Sequence, residues 1–434
     1  GATGYYLDVA KDSGFTIYTA PLDTACGGAT CQNKSVGAPT TFSVTTLTCG
    51  INYYYRVRAT NSGGTGTSSS TINPITIPCA PTATAATNVS TTSLTANWNA
   101  STGADGYILD VATDVGFTSF VASCDGSCNG FPPGNVTSYT VTGLSGNTTY
   151  YYRVKASNSG GDSGVSNTIS QLTAPAAPTS PGGSNITATS FSANWSAPAG
   201  ATGYYLDVAN DSGFTSYTGA VATACGGASC ENKDVLNVTT YSVTPLTAGT
   251  TYYFRVRARN SGGTGSNSST ITVNTLLSAP TANAATSINE SSFTANWTTV
   301  GGATSYYVDV AKDGFTDYSA PLNTACGGAS CNNKLVSSGT SLSVTGLDPN
   351  TTYNYRVRAY NTNGTSGNSN TISPLTAPAK PTNLTLGTGN ISDNGFSFYF
   401  TGAAGATTYK VMVDDNSDFS SPLASFNPAS FTTT

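Results

Sequence analysis

A seven-residue phrase, Gly4-Tyr-Tyr-Leu-Asp-Val-Ala10, returns along this chain at intervals of 97 to 103 residues. It reappears from Gly106, from Gly203, as Ser305-Tyr-Tyr-Val-Asp-Val-Ala311 and, worn down, as Thr408-Tyr-Lys-Val-Met-Val-Asp414. A period near 100 is too long for one turn of a solenoid and matches one small domain. The chain is therefore an array, and its function is sought in the array before any single site.

Composition narrows the classes. Only 9% of the residues are charged and the net charge is −5, so Ser, Thr, Asn and Gly carry solubility. That balance offers no basic footprint for nucleic acid and no patch for an anionic membrane. No apolar run reaches the ~18 residues that span a bilayer. His is absent, which removes the commonest general base and a favoured metal ligand. The chain opens on Gly1 rather than Met, and is expected to be mature or excised.

The ten cysteines are regularly placed. Close pairs recur once per copy at Cys26/Cys31, Cys124/Cys128, Cys225/Cys230 and Cys326/Cys331, while Cys49 and Cys79 have no counterparts. Locally paired positions in even number point to disulfides and an oxidising compartment. Zinc is the rival, but a structural zinc site wants four ligands and each copy offers two. The expected location is extracellular or at the cell surface, by secretion.

The second copy, roughly Cys79 to Ala174, reads strand by strand. Leu94, Ala96 and Trp98 share one face of an alternating run, and Tyr107, Leu109 and Val111 share another, with Ile108 and Asp110 opposite. Tyr139 and Val141 mark a third run. Tyr150, Tyr152, Val154 and Ala156 line a fourth, leaving Tyr151, Arg153 and Lys155 outside. Period-two alternation rich in Thr, Tyr and Val, broken by Gly, Asn, Ser and Pro clusters, predicts an antiparallel sandwich.

Trp98, then Tyr107 nine residues on, then Leu144-Ser-Gly-Asn-Thr-Thr-Tyr150-Tyr-Tyr-Arg153-Val-Lys-Ala156 resembles a fibronectin type III domain. Copy four supplies even the proline of that family's motif, in Leu347-Asp-Pro349-Asn-Thr351-Thr-Tyr353. Trp195 and Trp297 repeat the spacing to Tyr204 and Tyr306, and Phe400 replaces the Trp in the last copy. The chain is similar to tandem copies in large secreted surface proteins of bacteria. The resemblance implies an all-β class: tandem fibronectin type III-like (immunoglobulin-like) antiparallel β-sandwiches, strung as beads in a rod. It divides the chain into a partial repeat at 1–77, whole repeats at 78–175, 176–277 and 278–377, and a partial repeat at 378–434. Pro-containing joints, such as Ile77-Pro78-Cys79-Ala80-Pro81, are expected to act as semi-rigid spacers. In this fold Cys49, before the sixth strand, and Cys79, after the seventh, can meet and pin the first joint.

Several features invite a functional reading. Tyr6 and Asp8 lie against Tyr54, Arg56 and Arg58 on what reads as the outward face of strands three and six. Asp110 with Arg153 and Lys155, Asp207 with Arg255 and Arg257, and Asp309 with Arg356 and Arg358 repeat it. A sugar platform would use such residues; cross-strand ion pairs worth a few tenths of a kcal/mol explain them more simply. Asp8/Asp12, Asp110/Asp114, Asp207/Asp211 and Asp309/Asp313 precede Gly-Phe, and turn capping is favoured over calcium. The Cys-Gly-Gly-x-x-Cys loop reads as a stapled hairpin tip and, being exposed, as the best contact surface. Sequons are frequent in a chain this rich in Asn, Ser and Thr; the glycosylation candidates are Asn88, Asn135, Asn147, Asn185, Asn237, Asn289 and Asn350.

No nucleophile–base pair, carboxylate pair or phosphate loop stands apart from the repeated pattern, so no enzyme and no cofactor or metal is expected. The first copy starts at its third strand, and a sandwich without its first two strands should expose its core. Continuation of a longer array, or self-association by strand exchange, would complete it. The expectation is a non-enzymatic extracellular structural protein, a segment of a surface fibre, stalk or filament, adhesive toward glycans or host and cell-surface proteins. The alternative is the spacer or carbohydrate-binding region of a secreted polysaccharide-degrading enzyme.

Overall fold

Alternation in the sequence becomes two-faced strands. In the second repeat Leu94, Ala96 and Trp98 point inward from the Ser93–Trp98 strand, and Tyr150, Tyr152, Val154 and Ala156 from Thr149–Asn158. The computed structural model describes residues 1–180, 182–386 and 398–411. Among these the one helical element is a 3-10 turn, Gly219–Ala222.

Each whole repeat is two antiparallel sheets face to face. In the second, Ser93–Trp98 lies between Ala83–Thr87 and Ser138–Thr142. The facing sheet puts Gly106–Ala112 between Phe131–Gly134 and Thr149–Asn158, and Ile169–Leu172 closes its far side. Repeats three and four keep this order. In the fourth, the last strand is reduced to bridges at Thr352–Leu375 and Tyr355–Ile372.

The core is aromatic and repeats with the sequence. Trp98 packs on Tyr107, Trp195 on Tyr204 and Trp297 on Tyr306, with ring centres 5.6 to 5.7 Å apart. Such tilted pairs add about 0.5–1.5 kcal/mol to the burial of each ring. Before the sixth strand a buried tyrosine hydroxyl accepts a backbone N–H five residues upstream. Thr48 donates to Tyr53, Ser145 to Tyr150, Thr247 to Tyr252 and Asp348 to Tyr353, at 2.8 to 3.0 Å. This corner fixes the turn that leads into the strand.

The first repeat shows only one of its sheets. Gly4–Ala10 pairs along its length with Tyr54–Asn61, but residues 38–48, which face that sheet, form no strand. Between them runs a groove of about 550 Å³ lined by Tyr5, Leu7, Val9, Tyr53 and Val57, the side chains that the first two strands cover in whole repeats. In the last repeat Thr382–Leu386 pairs with Phe398–Thr401, and Tyr409 packs on Phe400 at 4.9 Å. Tyr409 is not in a strand; residues 387–397, within the span expected to hold the first strands, and the end of its phrase, Met412 to Asp414, lie outside the described residues.

Candidate functional site

The stapled loop follows the third strand in every whole or partial copy up to the fourth. Disulfides join Cys26–Cys31, Cys124–Cys128, Cys225–Cys230 and Cys326–Cys331, with Cα atoms 4.9 to 5.3 Å apart. The residues between the cysteines form the exposed tip expected, with Ala29 and Ser229 half-buried, but the cysteines that staple it are not exposed. Their sulfurs are fully buried and pack with Leu7, Val9, Leu22 and Ala25 in the first repeat. Cys31 accepts the Val9 N–H at 3.0 Å and Ala25 accepts that of Thr45 at 3.1 Å, so the loop plugs one end of the sandwich. Gly27 and Gly28 turn outward with Thr30, and both glycines are at positive φ, where a Cβ is disfavoured. The second copy is one residue shorter and places Asp125 and Gly126 in that region instead.

Over the outer face of the sheet the loop meets a carboxylate. The Asp8 Oδ1 accepts the Asn33 N–H at 2.7 Å; its Oδ2 accepts Arg56 Nε and Arg58 Nη2, both at 3.1 Å. Asp207 and Asp309 repeat all three bonds with Asn232, Arg255, Arg257 and with Asn333, Arg356, Arg358. Asp110 takes the Gly130 N–H and Arg153 only; Lys155 sits opposite Ile108 and makes no ion pair among the described residues. These groups were expected on an open face as weak surface pairs. Asp8 is instead 2% exposed, because the loop folds back across the face. A buried carboxylate is tolerable only with its partners in place, so each bond is worth more than a surface pair.

A ring completes the cover. Phe15, Phe117, Phe214 and Phe315 lie over Arg56, Arg153, Arg255 and Arg356, with the guanidinium carbon 4.0 to 4.1 Å from the ring centre. All four phenylalanines have φ between 54° and 64°, a conformation that costs a bulky residue about 1–3 kcal/mol. The stack and the turn before it hold them there. In that turn Asp12 accepts the N–H groups of Thr16 and Ile17, and Asp114 and Asp211 repeat this with Thr118/Ser119 and Thr215/Ser216. Hydrogen bonds from Thr118 and from Thr215 hold the Asp114 and Asp211 carboxyls below the usual carboxylate range. Asp313 departs from the expected capping. Its turn is one residue shorter, its backbone carbonyl takes the Thr316 N–H, and its carboxylate accepts no bond among the described residues.

In the first three copies one Asp of each pair serves the arginine side and the other its own turn; in the fourth only the Asp309 carboxylate is so engaged. Among the described residues no group of three or more Cys, Asp or Glu is placed to hold a metal. What the arrangement does is mechanical. It ties the third strand, the sixth strand and the loop with one carboxylate. The Phe and Asn partners were legible only as residues at fixed distance from the repeated Asp.

Cys49 and Cys79 form a fifth disulfide, Cα atoms 5.0 Å apart, at the first joint. Of the sequon asparagines, Asn88, Asn135, Asn185, Asn237, Asn289 and Asn350 are exposed. Asn147 is half-buried, its carbonyl oxygen 3.3 Å from the Asn260 amide of the next repeat.

Comparison with known proteins places this architecture. Over 318 residues the chain is 28% identical to Exoglucanase B of Cellulomonas fimi, covering 67% of this chain and 25% of that protein. Over 223 residues it is 29% identical to Chitinase A1 of Niallia circulans, 49% of this chain and 27% of that one. The chain thus spans about a quarter of these curated relatives. The FN1-FN3 domains of chicken CNTN1 align over 69% of this chain and all of theirs, at 21% identity and a TM-score of 0.27. The family model of the fibronectin type III domain matches residues 79–171, 176–274 and 278–374, more than half of the sequence, and the chain belongs to that family.

Proposed function

We propose that this chain is a non-catalytic, extracellular structural element: a rod segment of a surface fibre, stalk or filament. One observation carries the reading. The Asp–Arg cluster on the outer face is spent on holding strands and loop together, copy after copy. Five disulfides suit a chain that works in an oxidising compartment. Self-association, or contact with glycans or cell-surface proteins, belongs to this reading.

A second reading has its own support. Two relatives bear the names of an exoglucanase and a chitinase, and the match covers about a quarter of each. On that reading the repeats space or attach the catalytic part of a secreted polysaccharide-degrading enzyme. Sedimentation with insoluble cellulose and with chitin separates the two. The rod reading, whose glycan contacts are to cell surfaces and not to cellulose or chitin, expects the protein in the supernatant and no release of reducing sugar. Retention on either polysaccharide favours the second reading, and sugar release overturns the non-catalytic assignment itself.

A further inference from the structure

The hairpin tip that follows the sixth strand reads Asn-Ser-Gly-Gly at Asn61, Asn158 and Asn260, and Asn-Thr-Asn-Gly at Asn361. Its asparagine is preset. The side-chain oxygen accepts the N–H two residues on, Gly63, Gly160 or Gly262, each at 2.8 Å. That leaves the amide nitrogen directed away from the turn. Asn158 donates it to Thr76 O at 3.0 Å and Gly103 O at 2.9 Å. Thr76 belongs to the preceding repeat. Asn260 does the same to Thr173 O at 3.1 Å and Asn147 Oδ1 at 3.3 Å, both in the preceding repeat.

The recipient is built for it. Thr76 and Thr173 directly follow the last paired residues, Ile75 and Leu172, and each hydroxyl is locked into its own repeat by donating to Thr48 O or Ser145 O at 2.8 Å. One residue on, Ile77 O and Ala174 O accept the N–H groups of Gly50 and Asn147. The strand end is therefore rigid before it meets the tip. The glycines let the backbones close. A Cβ at Gly160 would lie 2.5 Å from Ile75 O, and one at Gly262 2.2 Å from Leu172 O. Neither glycine has a positive φ, so its own turn does not require it. Beside the tip, Gly103 meets Gly50 and Gly200 meets Asn147 so closely that a Cβ on either would overlap its neighbour.

We infer that the Asn-Ser-Gly-Gly tip is a docking surface for the last-strand end of the preceding repeat, and that it locks consecutive repeats at the two joints before Asn158 and Asn260 into one rigid body. The inference deepens the rod reading. Should it fail, the repeats are beads on flexible joints and the non-catalytic assignment stands untouched. Among the described residues the tip of the first repeat has no such partner and borders a recess lined by Ala2, Asn61, Gly63, Gly64 and Gly66, so in a protein of residues 1–434 it serves as the comparison. A Cβ at Gly63 would meet only Asn61 of its own turn, at 3.2 Å.

The test is 15N relaxation on the full chain, with small-angle scattering beside it. In the native chain, amides of the first, second and third repeats should report one shared, slow rotational correlation time. Gly160→Ala with Gly262→Ala, and separately Asn158→Ala with Asn260→Ala, should split that value into shorter, repeat-specific times and broaden the scattering distance distribution. Gly63→Ala should leave both unchanged. Amide exchange protection within each repeat, unaltered by the variants, shows that the repeats remain folded. Separate correlation times in the native chain overturn the inference, and so does a shared time that survives both pairs of substitutions.

Discussion

Replacing Asp207 by Ala tests the buried carboxylate most sharply. Asp207 is 2% exposed and accepts three hydrogen bonds, from Asn232 N–H at 2.7 Å, Arg255 Nε at 2.9 Å and Arg257 Nη2 at 3.5 Å. Removing one partner of a fully buried pair costs about 3–5 kcal/mol. Here the arginine side chains keep 27% and 25% of their exposure, so water recovers part of their solvation. The Asn232 N–H loses a charge-assisted bond worth about 1.5–3 kcal/mol. The sum falls at the low end, about 3 kcal/mol. Because each repeat has its own core, the loss should be confined to the third, and a single melting temperature would blur it. Hydrogen exchange read peptide by peptide avoids that. Three kcal/mol is about a hundredfold in the opening equilibrium, so the slowest amides of Thr251–Asn260 should exchange about a hundredfold faster. Those of Thr149–Asn158 in the second repeat should not change. An acceleration below about threefold, or an equal one in both repeats, would refute the argument that this carboxylate ties loop to sheet.

Three further outcomes follow from the geometry. Tyr252→Phe removes the acceptor of the Thr247 N–H, and the stranded donor should cost the third repeat about 1–3 kcal/mol, read by the same exchange. Joint replacement of Cys49 and Cys79 by Ser opens a link between residues 30 apart, worth about 3–4 kcal/mol by loop entropy, and should loosen Tyr54–Asn61 while the fourth repeat holds. Acid should act on the capped turns. The Asp114 and Asp211 carboxyls are held down by bonds from Thr118 and Thr215, so their contribution is complete above the ordinary carboxylate value of about 3.9 and is lost as pH falls through the lower folded value. The Thr118 and Thr215 amide shifts should titrate with midpoints below about 3.9; midpoints at or above it contradict the capping.

Much of the sandwich was legible because its physics is local. Leu94, Ala96 and Trp98 alternate with polar residues, and alternation at period two has one structural outcome when one face is buried. The family motif then ordered the strands. Alternation misled at Asp8. It correctly turned that side chain away from the core, but it cannot register that residues 12–33 fold back over the other face. Burial of Asp8 depends on Phe15, Asn33 and Arg56 meeting across loops, and no period records that. The joint was less legible still. Asn158 and Thr76 stand 82 residues apart, and nothing in Asn-Ser-Gly-Gly distinguishes a docking tip from an ordinary turn. The one available signal was that glycines persist where their own turn does not need them.

Electron microscopy of the native material tests the central claim directly. The account predicts thin rods of evenly spaced beads, each bead one repeat, with consecutive beads held at constant angles. Dispersed globular particles without a rod would contradict it.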